Sequence, residues 1–237
     1  MRDRAKKPKG TFDCKSAARS FVEALRQLPP LPEVFNPWLD LDPENDIAPH
    51  APRIRAANLT RYLEQRSAHA QFVLIGEAPS YRGAKFCGIA MTSERILLGG
   101  QSKIPPDAVF DGPKARTSRC ELFPKGSIEP TASVVWSLLL SMGFAPGEFI
   151  FWNAFPCHPH KPKQRLTNRA PTPSELRTMG DVLPALLALA PHARVVAVGR
   201  VAQKALGALC VAAPAVRHPA MGGATQFRRD IQALFPR

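Results

Sequence analysis

The chain has 237 residues, 45% of them hydrophobic and 22% charged, which is enough apolar material for a substantial core and excludes a wholly disordered chain. Lys and Arg number 32 against 19 Asp and Glu, so the formal net charge is +13 and the expected partner is a polyanion. No apolar run approaches the roughly 18 residues of a membrane span, which favours nucleic acid over a lipid surface.

The N-terminus carries Arg2, Arg4, Lys6, Lys7 and Lys9 with no apolar stretch behind them. It reads as a basic arm over 1–10 rather than a secretory signal. Five cysteines, Cys14, Cys87, Cys120, Cys157 and Cys210, are an odd number without CxxC spacing, which points to reduced thiols and a cytoplasmic protein.

Helical spacing of Ala18, Phe21, Val22, Leu25 and Leu28 predicts a helix over 15–28, stopped by Pro29-Pro30. A proline-rich connection follows. Ile54, Leu59, Tyr62 and Leu63 then predict a second helix over 52–67. Strands are expected at 71–75, 149–153, 194–198 and 214–217, where β-branched and aromatic residues run together. Helical patterns at 131–142, 173–189, 201–209 and 224–235 alternate with them. Such alternation demands crossover connections, so the expected fold is α/β: a three-layer α/β/α sandwich around a central, mostly parallel four-stranded sheet, in one domain over 1–237.

Thr172, Pro173 and Glu175 carry the signature of a capping box with proline at the first helical position. Residues 99–130 have Gly, Pro and charge but no periodicity, and an irregular segment of that length is more often functional or mobile than inert.

Each expected strand ends in a polar or glycine signal: Gly76-Glu77-Ala78-Pro79-Ser80, Asn153, Gly199-Arg200 and His218-Pro219-Ala220. Ligands of open parallel sheets bind outside the carboxyl ends of the strands, so these four segments are expected to converge on one crevice. A nucleotide-binding enzyme of another kind is disfavoured, because no GxGxxG or P-loop is present.

Five ordered segments carry a resemblance. GEAPSYRGAKFCGIAMTSERIL (76–97), WNAFPCHPH (152–160), NRAPTPSEL (168–176), VVAVGRVAQKAL (195–206) and VRHPAMGGATQF (216–227) together resemble the uracil-DNA glycosylase superfamily over 72–235, above all its families 4 and 5. The resemblance implies a monomeric DNA glycosylase that flips a uracil or related deaminated base out of DNA and hydrolyses its N-glycosidic bond, the first step of base excision repair. A DNA-binding or damage-sensing module of the same fold with little turnover is the alternative.

The resemblance also implies roles. His218 donates to the departing base, assisted by backbone N–H groups of the Glu77-Ala78 turn. Asn153 reads the edge of the base, with neighbouring hydrogen bonds fixing its amide. Ala78 stands where the most active branch has a water-activating Asp, leaving Glu77 or Glu94 as candidate bases, or neither. Met91 aligns with the aromatic that stacks on the base, with Phe86 as a substitute. Ser80 and Tyr81 shape the turn that screens the ring. Lys161, Lys163 and Arg165, with His160, form a phosphate-contacting rim, and Met221 is the wedge that enters the vacated stack.

Families 4 and 5 hold an iron-sulfur cluster on four thiolates, of which Cys157 matches the third. The fourth aligns with Met179, and the N-terminal pair is reduced to Cys14. No complete cluster can be assembled, and no cofactor is expected. Zinc at Cys157-His158-Pro159-His160 lacks a second group of ligands.

Overall fold

The computed structural model describes residues 13–236, so the basic arm expected over 1–10 lies outside the described residues. In chain order the elements are α1 (Cys14–Arg26), β1 (Val34–Phe35), α2 (Ala51–Glu64), β2 (Phe72–Gly76), α3 (Ala84–Cys87), α4 (Glu94–Leu97), α5 (Pro130–Ser141), β3 (Phe149–Asn153), β4 (His158–Pro159), α6 (Pro173–Thr178), α7 (Val182–Leu187), β5 (Arg194–Val198), α8 (Arg200–Ala208), β6 (Ala215–Val216) and α9 (Ala224–Leu234).

The fold is α/β, with β2, β3, β5 and β6 in one parallel sheet of order β3-β2-β5-β6. Phe21 of α1 meets Trp152 edge-on, whereas Trp136 of α5 packs on Phe149 and Phe151. Neighbouring strand residues point to opposite faces, so α1 and α5 cover opposite sides of the sheet, giving the three layers expected. The short β1 and β4 pair antiparallel outside it.

Local chemistry accounts for the elements. Asp13 caps α1 by accepting from the Lys15 amide at 3.1 Å, and Ala18, Phe21, Val22 and Leu25 form its buried stripe. At α6 the capping box is complete: the Glu175 amide donates to Thr172 Oγ1 at 3.2 Å, and the Thr172 amide donates to Glu175 Oε2 at 2.8 Å.

Two elements depart from the sequence pattern. The helix expected over 173–189 is broken into α6 and α7 around Met179–Asp181, because Gly180 loosens the chain and Pro184 has no N–H for the carbonyl of Gly180. In α2 it is Arg55 rather than Ile54 that is buried; its guanidinium pairs with Asp46 at 2.7 Å and donates to the carbonyls of Pro37 and Asp40. A buried arginine supplied with this many acceptors fits a helix face that apolar periodicity does not reveal.

The aperiodic segment 99–130 is fastened to the body by one carboxylate. Glu94 is fully buried and accepts from the Thr117 amide at 2.5 Å, the Ser118 amide at 2.9 Å, the Ser127 amide at 3.2 Å and the Ser118 hydroxyl.

Candidate active site at the strand ends

The sheet register sets Gly76 beside Asn153 at the ends of β2 and β3. Beyond them the two chains stay zipped, with the Ala154 amide donating to the Gly76 carbonyl at 2.9 Å and the Phe155 amide to that of Glu77 at 3.0 Å. On the other side, the Gly199 amide after β5 donates to the Val216 carbonyl at 3.0 Å. All four post-strand segments therefore emerge on one side.

A cleft of about 510 Å³ opens there, lined by Glu77, Ala78, Ser80, Tyr81 and His218 among others. That volume is within the usual range for a small-molecule site. Asn168 holds its rim: the Tyr81 amide donates to Asn168 Oδ1 at 3.0 Å, and the Asn168 amide reaches Ser80 Oγ at 3.4 Å. The Arg82 guanidinium donates to the Tyr81 hydroxyl at 2.9 Å. His158, beneath, has its ring nitrogens 2.9 Å from the Pro79 carbonyl and 3.1 Å from that of Arg165, tying the turn after β2 to the basic loop.

His218 sits in a tight turn. Its Nδ1 accepts from the Ala220 amide at 3.1 Å, and Gly223 closes the turn where any Cβ would lie 2.0 Å from the His218 carbonyl oxygen. Burial pushes the imidazole pKa down, the nearby Glu77 carboxylate opposes this, and Arg217 adds to the lowering. The ring is thus neutral at pH 7, and with Nδ1 occupied as acceptor its proton resides on Nε2. Gly199, at φ +91°, makes room for the pair: a Cβ there would lie 2.9 Å from Glu77 Oε1 and 3.2 Å from His218 Cβ.

Asn153 is buried behind this cleft, and the gap beside it, bounded by Trp38, Pro79, Ala84, Ala90, Trp152 and Pro156, is too small to admit a water. Met91 comes with it. A Cβ on Gly76 would lie 2.7 Å from Asn153 Oδ1 and 3.6 Å from both Sδ and Cε of Met91, so the amide and the thioether share the space over Gly76. Met91 holds φ +46°, in the left-handed region that a side chain of its size seldom occupies. The hydrogen bonds expected to fix the Asn153 amide are not found among the described residues, which leaves both its donor and its acceptor unused.

Two candidates are not brought to the cleft. Glu94 is buried and its oxygens are already filled by Thr117, Ser118 and Ser127, which leaves no lone pair directed at a water in the cleft. Phe86 is fully buried against Phe123, at 5.2 Å between centroids, under the Lys85 ammonium.

Lys161, Lys163 and Arg165 are exposed on one loop; Lys163, Arg165 and His160 line an open cavity of about 810 Å³ with Pro43, Glu44 and Asn45. Arg165 leans on buried Asp42 at 3.4 Å, whereas neither lysine has an acidic partner among the described residues. Met221, 93% exposed at φ +51°, stands at the tip of the His218 turn. Sequence reasoning missed Asn168 and Glu129: the first lay in a quoted motif without a role, and the second lies in the aperiodic stretch and lines the cleft.

The residues do not fit an iron-sulfur cluster. Cys157 is buried as a free thiol, and the position that aligns with the fourth ligand is held by the buried side chain of Met179, which cannot supply a thiolate. No group of three or more His, Cys, Asp or Glu side chains among the described residues is arranged to hold a metal ion. No helix among them is long and apolar enough to cross a membrane.

Comparison with known proteins agrees with the geometry. The model of the uracil DNA glycosylase superfamily matches residues 64–235. Among solved structures, the wild-type SMUG2 of Pedobacter heparinus superposes with a TM-score of 0.60 at 14% identity, covering 94% of this chain and 99% of that one. No curated protein sequence matches.

Proposed function

The chain belongs to the uracil-DNA glycosylase superfamily, and on that premise we propose that it hydrolyses the N-glycosidic bond of uracil, or of a related deaminated base, in DNA. What supports this above all is His218: a neutral imidazole in the cleft, with Nδ1 occupied by the Ala220 amide and a proton available on Nε2. Breaking the bond between C1′ and N1 leaves the electron pair on the base, chiefly on its carbonyl oxygens. A preorganised donor aimed at such an oxygen stabilises the transition state by about 3–4 kcal/mol, more than any single ground-state contact contributes. The N–H groups of the Glu77-Ala78 turn assist, and Glu77 stabilises positive charge growing on the sugar.

Asn153 meets the edge of the flipped base and Met91 covers its face, a thioether serving where an aromatic ring would stack. Because Asn153 lies behind Pro79, a base reaching it displaces the turn shaped by Ser80 and Tyr81. Lys161, Lys163 and Arg165 contact backbone phosphates, and Met221 fills the gap left in the stack. Unpaired or mispaired bases flip most cheaply, so they are the favoured substrates.

The closure around Asn153 favours a second reading, a damage sensor that binds DNA and turns over little. Oligonucleotides bearing uracil, hypoxanthine or a thymine mispair, cleaved at abasic sites after incubation, separate the two. Strand breaks at uracil support the glycosylase; tight binding without breaks supports the sensor.

A further inference from the structure

α5 begins with a carboxylate that does not cap it. A negative charge near a helix start is favoured by the free amides of the first turn, but the Glu129 side chain makes no capping bond to them. It turns away instead and lies against Gly83, where any Cβ would come within 1.8 Å of its Oε2. This places it in the wall of the cleft that holds Glu77 and His218. No hydrogen bond or ion pair reaches its carboxylate among the described residues.

The position suits one missing part of the reaction. Ala78 supplies no acid to activate water, Glu94 is locked away, and Glu77 lies against Gly199 and His218, on the side of the leaving base. Glu129 approaches from elsewhere: α5 packs on β3 at one end of the sheet order, while His218 follows β6 at the other. We propose that Glu129 is the general base, taking the proton of the water that attacks C1′, an assignment that rests on the glycosylase reading above. A bond forms between the water oxygen and C1′ as the bond from C1′ to N1 breaks. The bonding pair leaves with the base, which later takes a proton from solvent, and Glu129 passes its own proton to solvent.

Burial pushes the Glu129 pKa up to about 7, so its conversion to the active carboxylate falls within the working range. The other titratable groups of the cleft are Glu77, Tyr81, Arg82, Arg169 and His218. Cys87, beyond Gly83, is a thiol pushed far up by burial and stays neutral. Arg169 is held by Glu175 at 2.6 Å and Arg82 by Tyr81, so neither pairs with Glu129. His218 titrates below its ordinary value, leaving a limb near 7 to Glu129.

The test is single-turnover excision from a uracil oligonucleotide between pH 5 and 9, for the wild type and Glu129→Gln. The wild-type rate is expected to rise through a limb near pH 7. Glu129→Gln should lose that limb and about 100-fold in rate at pH 8, with DNA binding and circular dichroism unchanged. Wild-type excision that is flat across this range overturns the assignment without any variant, as does a Glu129→Gln enzyme retaining both limb and rate. A wild type that releases no base at any pH overturns the glycosylase reading itself, and the assignment with it.

Discussion

Gly76 and Asn153 face each other across β2 and β3, and a methyl group on Gly76 would sit 2.7 Å from Oδ1 of Asn153. The glycine that begins the first motif is therefore there to let an amide lie over the strand end. Gly76→Ala is expected to press the Asn153 side chain against the tightly packed wall of Pro79 and Trp152. Overpacking of this kind costs about 1–3 kcal/mol of stability. Urea unfolding and uracil excision should both register the change; a variant with wild-type stability and rate would show that the amide is not held over Gly76.

In the proposed pocket, the Asn153 amide supplies an N–H donor for O4 of uracil and a carbonyl acceptor for its N3–H. An ionised Asp at this position is acceptor-only and faces O4 with like charge. Asn153→Asp is expected to lose roughly one to two orders of magnitude in uracil excision, the consequence of leaving buried polar groups unmatched. An ionised carboxylate can accept from the amino group of cytosine, so trace cytosine excision by the variant is also expected. Matched uracil and cytosine oligonucleotides measure both, and full uracil activity in the variant would remove Asn153 from the pocket.

His158 makes stability depend on pH. Burial pushes its pKa from the ordinary 6.5 down to about 4, against the opposing effect of the Pro79 and Arg165 carbonyls. The unfolded chain therefore binds a proton that the folded chain refuses, and stability falls as pH drops from 6.5 toward 4. The full loss is on the order of 3 kcal/mol. Glu129 acts with the opposite sign: its raised pKa contributes stability below pH 4.5 that is lost as pH rises through about 7. Urea midpoints of wild type and His158→Asn from pH 7.5 to 4 isolate the histidine. The variant should lose less stability on acidification, and parallel curves would contradict this.

The basic loop predicts a salt dependence. Lys161 and Lys163 are exposed and have no acidic partner among the described residues, whereas Arg165 is shared with Asp42. Alanine at either lysine should weaken DNA binding at all sequences and lower the log-log salt slope by about one. Arg165→Ala should also expose the buried Asp42–Lys85 pair and cost some stability. Fluorescence anisotropy over a salt series reads the slopes; unchanged slopes would place the DNA elsewhere.

The strands were readable because FVLIG, FIFWN and RVVAV are short apolar runs closed by glycine or asparagine, and their alternation with helices implied the parallel order. Thr172 and Glu175 announced their helix for the same local reason. The break at Gly180 and Pro184 was hidden because Val182, Leu183 and Leu186 continue the apolar period through it. Glu94 looked like a cleft acid because what disposes of its charge, the 117–127 backbone, is distant in sequence. Glu129 gave no signal at all: a Glu-Pro pair reads as an ordinary helix start, and only the bare Cα of Gly83 shows where its carboxylate goes.

The most direct measurement is single-turnover uracil release by the wild type and His218→Ala, with DNA binding followed in parallel. The expected result is release by the wild type and a loss of roughly two to three orders of magnitude in the variant, with binding unchanged. Equal rates in the two folded proteins would contradict the role of His218 as the donor to the departing base, and no release by the folded wild type would contradict the glycosylase reading as a whole.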